Sequence, residues 1–471
     1  MVRKILLLPV MLLACLAMAL PAAEDPQPEE GLDTLTPVDP KGHVDQTKII
    51  KEDYLYIIGK HKIDIKRKSC DVKEVTYGEQ DSEFQAGITA RDDGKYTIAA
   101  YHFVKALENL KGKTRTAWPA EYCNYQIANA LYLNGMFSGY KGKTGTVYMP
   151  PAEYYKLALA ANPRSRFMPD IVSKIPYCLG SEETKLDGNE PAKLNDAEIS
   201  AKLADAEAAI KDGVAKLKTF RDEGVAIAPA YADVADKAAA QLAIADAKIL
   251  EKKTQRAKDM SWQDVADRWH LARTKAEKFP ELQAEAVDGE LQAMVNMKNY
   301  DGVIAEAQTL IDKYKTTGDS KVLPLLPGAY TALGKSYLGK ASDFEGKKNV
   351  QQALNNYAEA RWQFINVVAQ FFDKDEYVAN AHFLAGICYE RLKDVEPDAA
   401  EKAQRHWKLV VQNFPRSSFK ELAEQKLAEF GGAPAPEKKD DGAKKDEVKK
   451  DEGKKDEPKK DATPKADPKK G

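Results

Sequence analysis

The chain has six histidines, at positions 43, 61, 102, 270, 382 and 406. A metal-dependent hydrolase would need two of them on one helix face beside a general base. None of His43, His61, His102, His270, His382 and His406 forms an H-E-x-x-H pair, and none lies in a recognised Ser or Cys nucleophile arrangement. Gly139-Tyr140-Lys141-Gly142-Lys143-Thr144-Gly145 has the composition of a phosphate loop, but neither its spacing nor a strand before it. No catalytic, cofactor-binding or metal-ligating residue is assigned, and the chain reads as a non-enzyme. What remains is the chemistry of contact. Tyr122, Tyr125, Asn129 and Tyr132 recur at i, i+3, i+7 and i+10, which puts three phenols and an amide on one helical stripe. Tyrosine offers a large apolar face with a polar tip, which suits it to binding surfaces, and equally suits two of these rings to packing against the next helix pair.

The elements that would hold such a stripe are repeated. Asn162-Pro163-Arg164-Ser165-Arg166-Phe167 closes one helical run, and Phe414-Pro415-Arg416-Ser417-Ser418-Phe419 closes another far along the chain. Tyr155 and Ala158 precede the first proline as Trp407 and Val410 precede the second, and Ala99, Phe103 and Ala106 follow Gly94-Lys95-Tyr96. Recurrence of this kind is the mark of a helical repeat array. Small residues let two antiparallel helices approach, and an aromatic ring fills the space between pairs. The spacing resembles the tetratricopeptide repeat over 81–110, 120–163, 330–372 and 379–415. In such repeats the first helices usually form an inner binding face. Projected onto this sequence, that face carries Arg91, then Tyr122, Tyr125, Asn129 and Tyr132, and in the last unit Asn380, Phe383, Ile387 and Arg391. The family's carboxylate clamp is not implied, because Tyr125 stands where it needs a basic residue.

The pattern also departs from that family. The interval between the helix-pairing sites is long from Gly334 to Ala360 and from Ala128 to Pro151, so extended helix ends or loops are expected at Gly135–Tyr148 and Lys340–Lys348. In the unit Gln283–Tyr314, Leu291 takes the place of the small residue. Between the repeat blocks, 181–260 opens on an acidic loop and continues as Ala-rich helices over Ala197–Phe220 and Tyr231–Lys258. These lack sustained Leu/Ile heptads, so they read as an intramolecular hairpin extending the solenoid rather than a dimerising coiled coil.

Residues 1–23 have a basic start (Arg3, Lys4) and an apolar run from Ile5 to Leu20, short for a membrane span, and read as a secretory signal. Leu12-Leu13-Ala14-Cys15 resembles a bacterial lipobox, which makes lipidation of Cys15 the alternative. A linker over 24–42 leads to a small β module over 43–78. There, strands are expected at Lys48–Ile50, Tyr54–Ile58, His61–Lys66 and Val72–Tyr77, with a turn at Gly59-Lys60. So small a core is expected to dock on the first helical pair. Of the later cysteines, Cys388 reads as a small buried hydrophobe, while pairing of Cys123 with Cys178 stays open. The 431–471 tail of Lys, Asp, Glu and Pro is expected to be disordered and reads as a solvated spacer, with an electrostatic contact to a membrane or wall as the alternative.

A net charge of −2 over 471 residues argues against nucleic-acid binding. The last unit, from Ala379 to Phe430, is similar to the repeats of the bacterial outer-membrane assembly lipoprotein and of the periplasmic cell-division coordinator of the Tol–Pal system. That resemblance implies an envelope scaffold holding extended peptide segments of other envelope proteins. The expected fold is therefore mostly α: a tetratricopeptide-like α-solenoid with tetratricopeptide-like repeats over 79–180 and 261–430, the long helix pair over 181–260, the β module and the tail. No cofactor is expected. The expected partners are other proteins of the periplasm or envelope. The competing reading is an envelope enzyme or a cell-wall carbohydrate binder using the β module.

Overall fold

The computed structural model describes residues 32–78, 81–110, 118–142, 144–187, 190–257, 260–315, 325–415 and 417–430. The signal and tail read from the sequence lie outside these residues. Five strands come first: β1 (Asp33–Pro37), β2 (Asp45–Glu52), β3 (Tyr56–Lys60), β4 (Asp64–Lys68) and β5 (Val72–Thr76). They form one antiparallel sheet in the order β4-β3-β2-β1-β5. The module thus begins before residue 43. Asp33-Thr34-Leu35-Thr36-Pro37 looks like linker, yet β1 lies between β2 and β5 and buries Leu35 to 1 % exposure. One apolar residue between two threonines was too weak a pattern to read as a strand.

The Gly59-Lys60 turn is not there. Both residues belong to β3, and the chain reverses over 61–63. Gly59 is needed for a different reason: a Cβ on it would sit 2.2 Å from Oγ1 of Thr47 on β2. Tyr54 and Leu55 precede β3 as a bend in which Oδ1 of Asp53 accepts from the backbone N–H groups of Leu55 and Tyr56, at 2.8 and 2.9 Å.

Helices follow. The first block contains α1 (Ser82–Asp92), α2 (Tyr96–Asn109), α3 (Trp118–Leu133), α4 (Pro151–Ala161) and α5 (Met168–Ser181). Asp81 caps α1 by accepting from the N–H of Glu83. The insertion 135–148 is neither a helix end nor a plain loop, but a hairpin of β6 (Tyr140–Lys141) and β7 (Val147–Tyr148). The acidic loop after α5 makes a second hairpin, β8 (Thr184–Asp187) with β9 (Glu190–Lys193), and β6 lies against β9. Two insertions far apart in sequence therefore converge.

The Ala-rich middle is an antiparallel pair, α6 (Asp196–Val225) and α7 (Ala230–Arg256), started by a full capping box of Asn195 and Glu198. Both helices pack on α5 within the chain, as the hairpin reading requires. The β module docks here as well as on the first helices. Tyr54 meets Phe220 edge-on at 5.2 Å between ring centroids, and Tyr77 meets Tyr122 at 5.0 Å. It shares its core with its neighbours and is not a separable domain.

The second block is α8 (Trp262–Lys275), α9 (Pro280–Asn296), α10 (Tyr300–Tyr314), α11 (Leu325–Gly346), α12 (Val350–Gln370), α13 (Asp375–Leu392), α14 (Ala399–Asn413) and α15 (Lys420–Glu429). The long interval around 340–348 is resolved as two lengthened helices, α11 and α12, meeting at Lys348, whose φ is 56°. The small-residue rule holds at Gly87 against Phe103, Gly334 against Phe364 and Gly386 against Trp407. Where Leu291 replaces the small residue, α9 turns Gly289 onto Trp269 of the preceding helix instead. An added Cβ at Gly386 would lie 2.3 Å from Nε1 of Trp407, a buried ring at 0 % exposure. A Gly386→Ala variant should therefore lose about 1–3 kcal/mol by overpacking, read as a lower urea midpoint. An unchanged midpoint would contradict this contact.

Both copies of the repeated phrase fold alike. The N–H groups of Ser165 and Ser417 donate to the carbonyls of Asn162 and Phe414, each at 3.0 Å. The hydroxyls of Ser165 and Ser417 accept from the N–H groups of Phe167 and Phe419, at 3.1 and 3.2 Å. Proline stops the helix, and the serine side chain starts the next one. All four described cysteines are free thiols, so Cys123 and Cys178 are unpaired, and Cys388 is fully buried as expected.

Candidate protein-binding cleft

Helices α1 and α3 and the start of α5 form one wall of a cleft, and strand β5 forms the other. Its volume is about 470 Å³. Arg91, Tyr122, Tyr125 and Asn129 all line it, so four of the nine residues projected from the sequence come together.

Arg91 ends α1, where its Nη1 donates to Oε1 of Gln126 at 3.1 Å and its Nη2 to Asp92 at 2.7 Å. Tyr122 is only 4 % exposed and donates to Oε1 of Glu52 at 2.8 Å. Tyr125 stacks on Phe167 at 4.0 Å and donates to Oδ2 of Asp170 at 2.9 Å. Asn129 accepts from the Tyr155 hydroxyl at 2.7 Å and from Nζ of Lys174 at 2.8 Å. Burial raises the Tyr122 and Tyr125 phenols well above the ordinary tyrosine range, so both stay protonated and donate. The stripe is thus partly floor and partly structure: its polar tips are already engaged.

The other five lie elsewhere, with Phe383 and Ile387 packed against the core around Trp407. Tyr132, two turns past Tyr125, packs edge-on against Phe137 and Tyr177, with Nζ of Lys174 at 5.1 Å from its ring. The expectation that Tyr125 and Tyr132 share one groove therefore fails, because the hairpin insertion supplies Phe137 and α5 supplies Tyr177 to cover the Tyr132 ring. Asn380 is 9 % exposed on α13, with its Oδ1 unpartnered. Arg391 is largely exposed at the end of that helix, 3.9 Å from Glu345. Neither reaches the cleft.

Three lining features escaped the stripe argument. Residues 73–76 of β5 come from the β module. Lys174 lies on α5, ion-paired with Asp170 at 2.7 Å. Arg166 and Phe167 belong to the repeated phrase, which reads from sequence only as a helix terminator. Arg166 is 11 % exposed at its side chain, donates from Nη2 to the Lys73 carbonyl at 3.2 Å, and lies 3.6 Å from Glu52; its Nη1 is buried without a partner among the described residues. Beneath them Glu121, 2 % exposed, accepts from Asn162 at 2.8 Å and from the Ser165 hydroxyl. Burial pushes its carboxyl up to about 7.

A larger cleft of about 720 Å³ lies where the converging hairpins meet α5 and α7, lined by Met136, Phe137, Tyr177, Lys248 and Lys252 among others. Among the described residues no group of three or more His, Cys, Asp or Glu is disposed to hold a metal ion, and no helix is long and apolar enough to cross a membrane.

No protein family and no curated protein matches the chain. Among solved structures it is similar to the crystal structure of the P58(IPK) TPR domain, at 12 % identity over 74 % of this chain and 89 % of that one, with a TM-score of 0.19.

Proposed function

We propose that this protein is an exported, non-enzymatic scaffold of the bacterial cell envelope that holds extended segments of other envelope proteins. The observation that carries the reading is the preformed cleft between β5 and the first helices, with Arg91, Tyr125 and Asn129 on its wall. Preorganised aromatic and amide groups bind without further ordering cost, which favours recognition over chemistry. The export part rests on Arg3-Lys4 and the Ile5–Leu20 run. The envelope setting rests on the likeness of 379–430 to envelope repeats. Periplasmic residence follows from cleavage after Ala19 or Ala23, and outer-membrane attachment from a lipidated Cys15.

The test is photo-crosslinking in intact cells with a benzophenone amino acid replacing Gln126, followed by osmotic-shock fractionation and mass spectrometry. The reading predicts discrete protein adducts in the periplasmic or membrane fraction, on a chain that starts at residue 15, 20 or 24. Adducts confined to the cytoplasm would refute export. An intact periplasmic chain giving no adduct from position 126, while the same amino acid placed at the exposed position of Trp362 gives one, would move the site away from this cleft.

A further inference from the structure

The cleft has an open sheet edge for a wall. β5 is terminal in the order β4-β3-β2-β1-β5, so among the described residues one side of its backbone has no strand neighbour. Four consecutive residues, Lys73, Glu74, Val75 and Thr76, line the cleft. Side chains alternate between the faces of a sheet, so a cleft lying over one face would meet every second residue. A run of four means that the cleft follows the backbone edge. The Lys73 carbonyl confirms the direction, since it reaches across to Nη2 of Arg166.

The opposite edge is treated differently. β4, Asp64-Ile65-Lys66-Arg67-Lys68, is mostly exposed and basic, which discourages strand pairing. β5 has two buried valines and faces a walled space.

We infer that this space takes an extended polypeptide segment as a sixth strand, hydrogen-bonded along β5 and carrying an acidic side chain toward Arg91 and Arg166. The proposal rests on the scaffold reading above and adds its mode of recognition. Size agrees. One strand residue fills about 155 Å³, from a rise of ~3.3 Å, a strand spacing of ~4.7 Å and a sheet spacing of ~10 Å. A cleft of about 470 Å³ is therefore large enough for a short extended segment. Charge agrees too. The lining carries Lys73, Arg91, Arg166 and Lys174 against Glu74 and Asp92; Asp170 already pairs with Lys174 and Glu52 lies 3.6 Å from Arg166, but among the described residues Nη1 of Arg166 has no hydrogen-bond partner. Strand addition takes affinity from main-chain bonds and specificity from pockets for alternate side chains. Here those pockets would be the Tyr125–Phe167 stack and the arginines.

The experiment selects random linear eight-residue peptides, displayed on phage, against the full chain, and studies the most enriched one as a synthetic peptide. Enriched sequences should contain Asp or Glu. Bound peptide should slow amide exchange across residues 72–77 at least tenfold. N-methylation of alternate peptide amides, or Arg91→Glu in a variant with an unchanged melting curve, should each weaken binding tenfold or more. Peptide binding with protection on α11 and α13 and none on β5 would overturn strand addition while leaving peptide recognition intact. A peptide-independent dimer with β5 protected would assign the edge to a second copy and overturn the proposal. Failure to enrich any peptide would overturn it together with the cleft reading.

Discussion

Replacing Tyr125 and Tyr132 together by alanine should cost this protein on the order of 4 kcal/mol of stability, since truncating well-packed aromatics costs about 3–5 kcal/mol each when fully buried and less when partly so. Tyr125 loses a 4.0 Å stack on Phe167 and leaves Asp170 without its phenol donor. Tyr132 leaves a gap between Phe137, Tyr177 and Lys174. Urea unfolding measures the loss. Leu157→Ala, at 44 % exposure on the neighbouring α4, is the control and should change stability by less than ~0.5 kcal/mol. A double variant as stable as the control would show that both rings are free to serve a partner and that their contacts are incidental. Because the pair is structural, loss of partner capture in this variant is no test of binding. Arg91, at the cleft rim, is the better probe.

Acid should loosen the last hairpin, through two histidines that the sequence offers only as isolated residues. Nδ1 of His382 on α13 lies 2.8 Å from Nδ1 of His406 on α14, so one ring donates and the other accepts. Aromatic and cationic groups surround them: Phe414 is 6.2 Å from His382, Tyr389 stacks on His406 at 5.4 Å, and Arg405 is adjacent in sequence. Burial is the first cause that pushes both imidazoles down to about 4, with mutual repulsion and Arg405 adding to it at His406. The unfolded chain, with histidines near 6.5, binds protons first as pH falls. Stability contributed by the neutral pair is therefore present above pH 6.5 and is lost between about 6.5 and 4. The amount is on the order of 3 kcal/mol for the first proton, at 1.36 kcal/mol per pKa unit. Glu121 acts in the opposite sense. Its raised carboxyl gives stability that is full below its unfolded value of 4.5 and is lost as pH rises through about 7. Hydrogen exchange separates the two, because acid should open α13–α14 and neutral pH the turn at Ser165. In a His382→Leu/His406→Leu variant the acid opening should vanish. Its persistence would show that other groups carry it.

Repeats, caps and helix pairs were legible because they are local. Gly87 with Phe103, Gly386 with Trp407, and Ser165 and Ser417 in their turns do their work within a few dozen residues, at spacings fixed by helix geometry. The Ala-rich pair was legible for the same reason. Strand β1 was not, because Leu35 alone carries its burial and only β2 and β5 on either side make that residue a core position.

The sequence by itself determined the solenoid, its joints and one helical stripe, since periodicity says which residues share a face. It could not say what that face meets. Tyr125 became a stacked ring because Phe167 arrives from a turn that reads only as a stop signal. Asn129 became an acceptor because Tyr155 and Lys174 reach it from α4 and α5. The cleft exists because β5, about fifty residues before α3, docks its open edge beside that helix. Such meetings depend on where separate elements come to rest when they bury their apolar faces, and no spacing within one element encodes the surface of another.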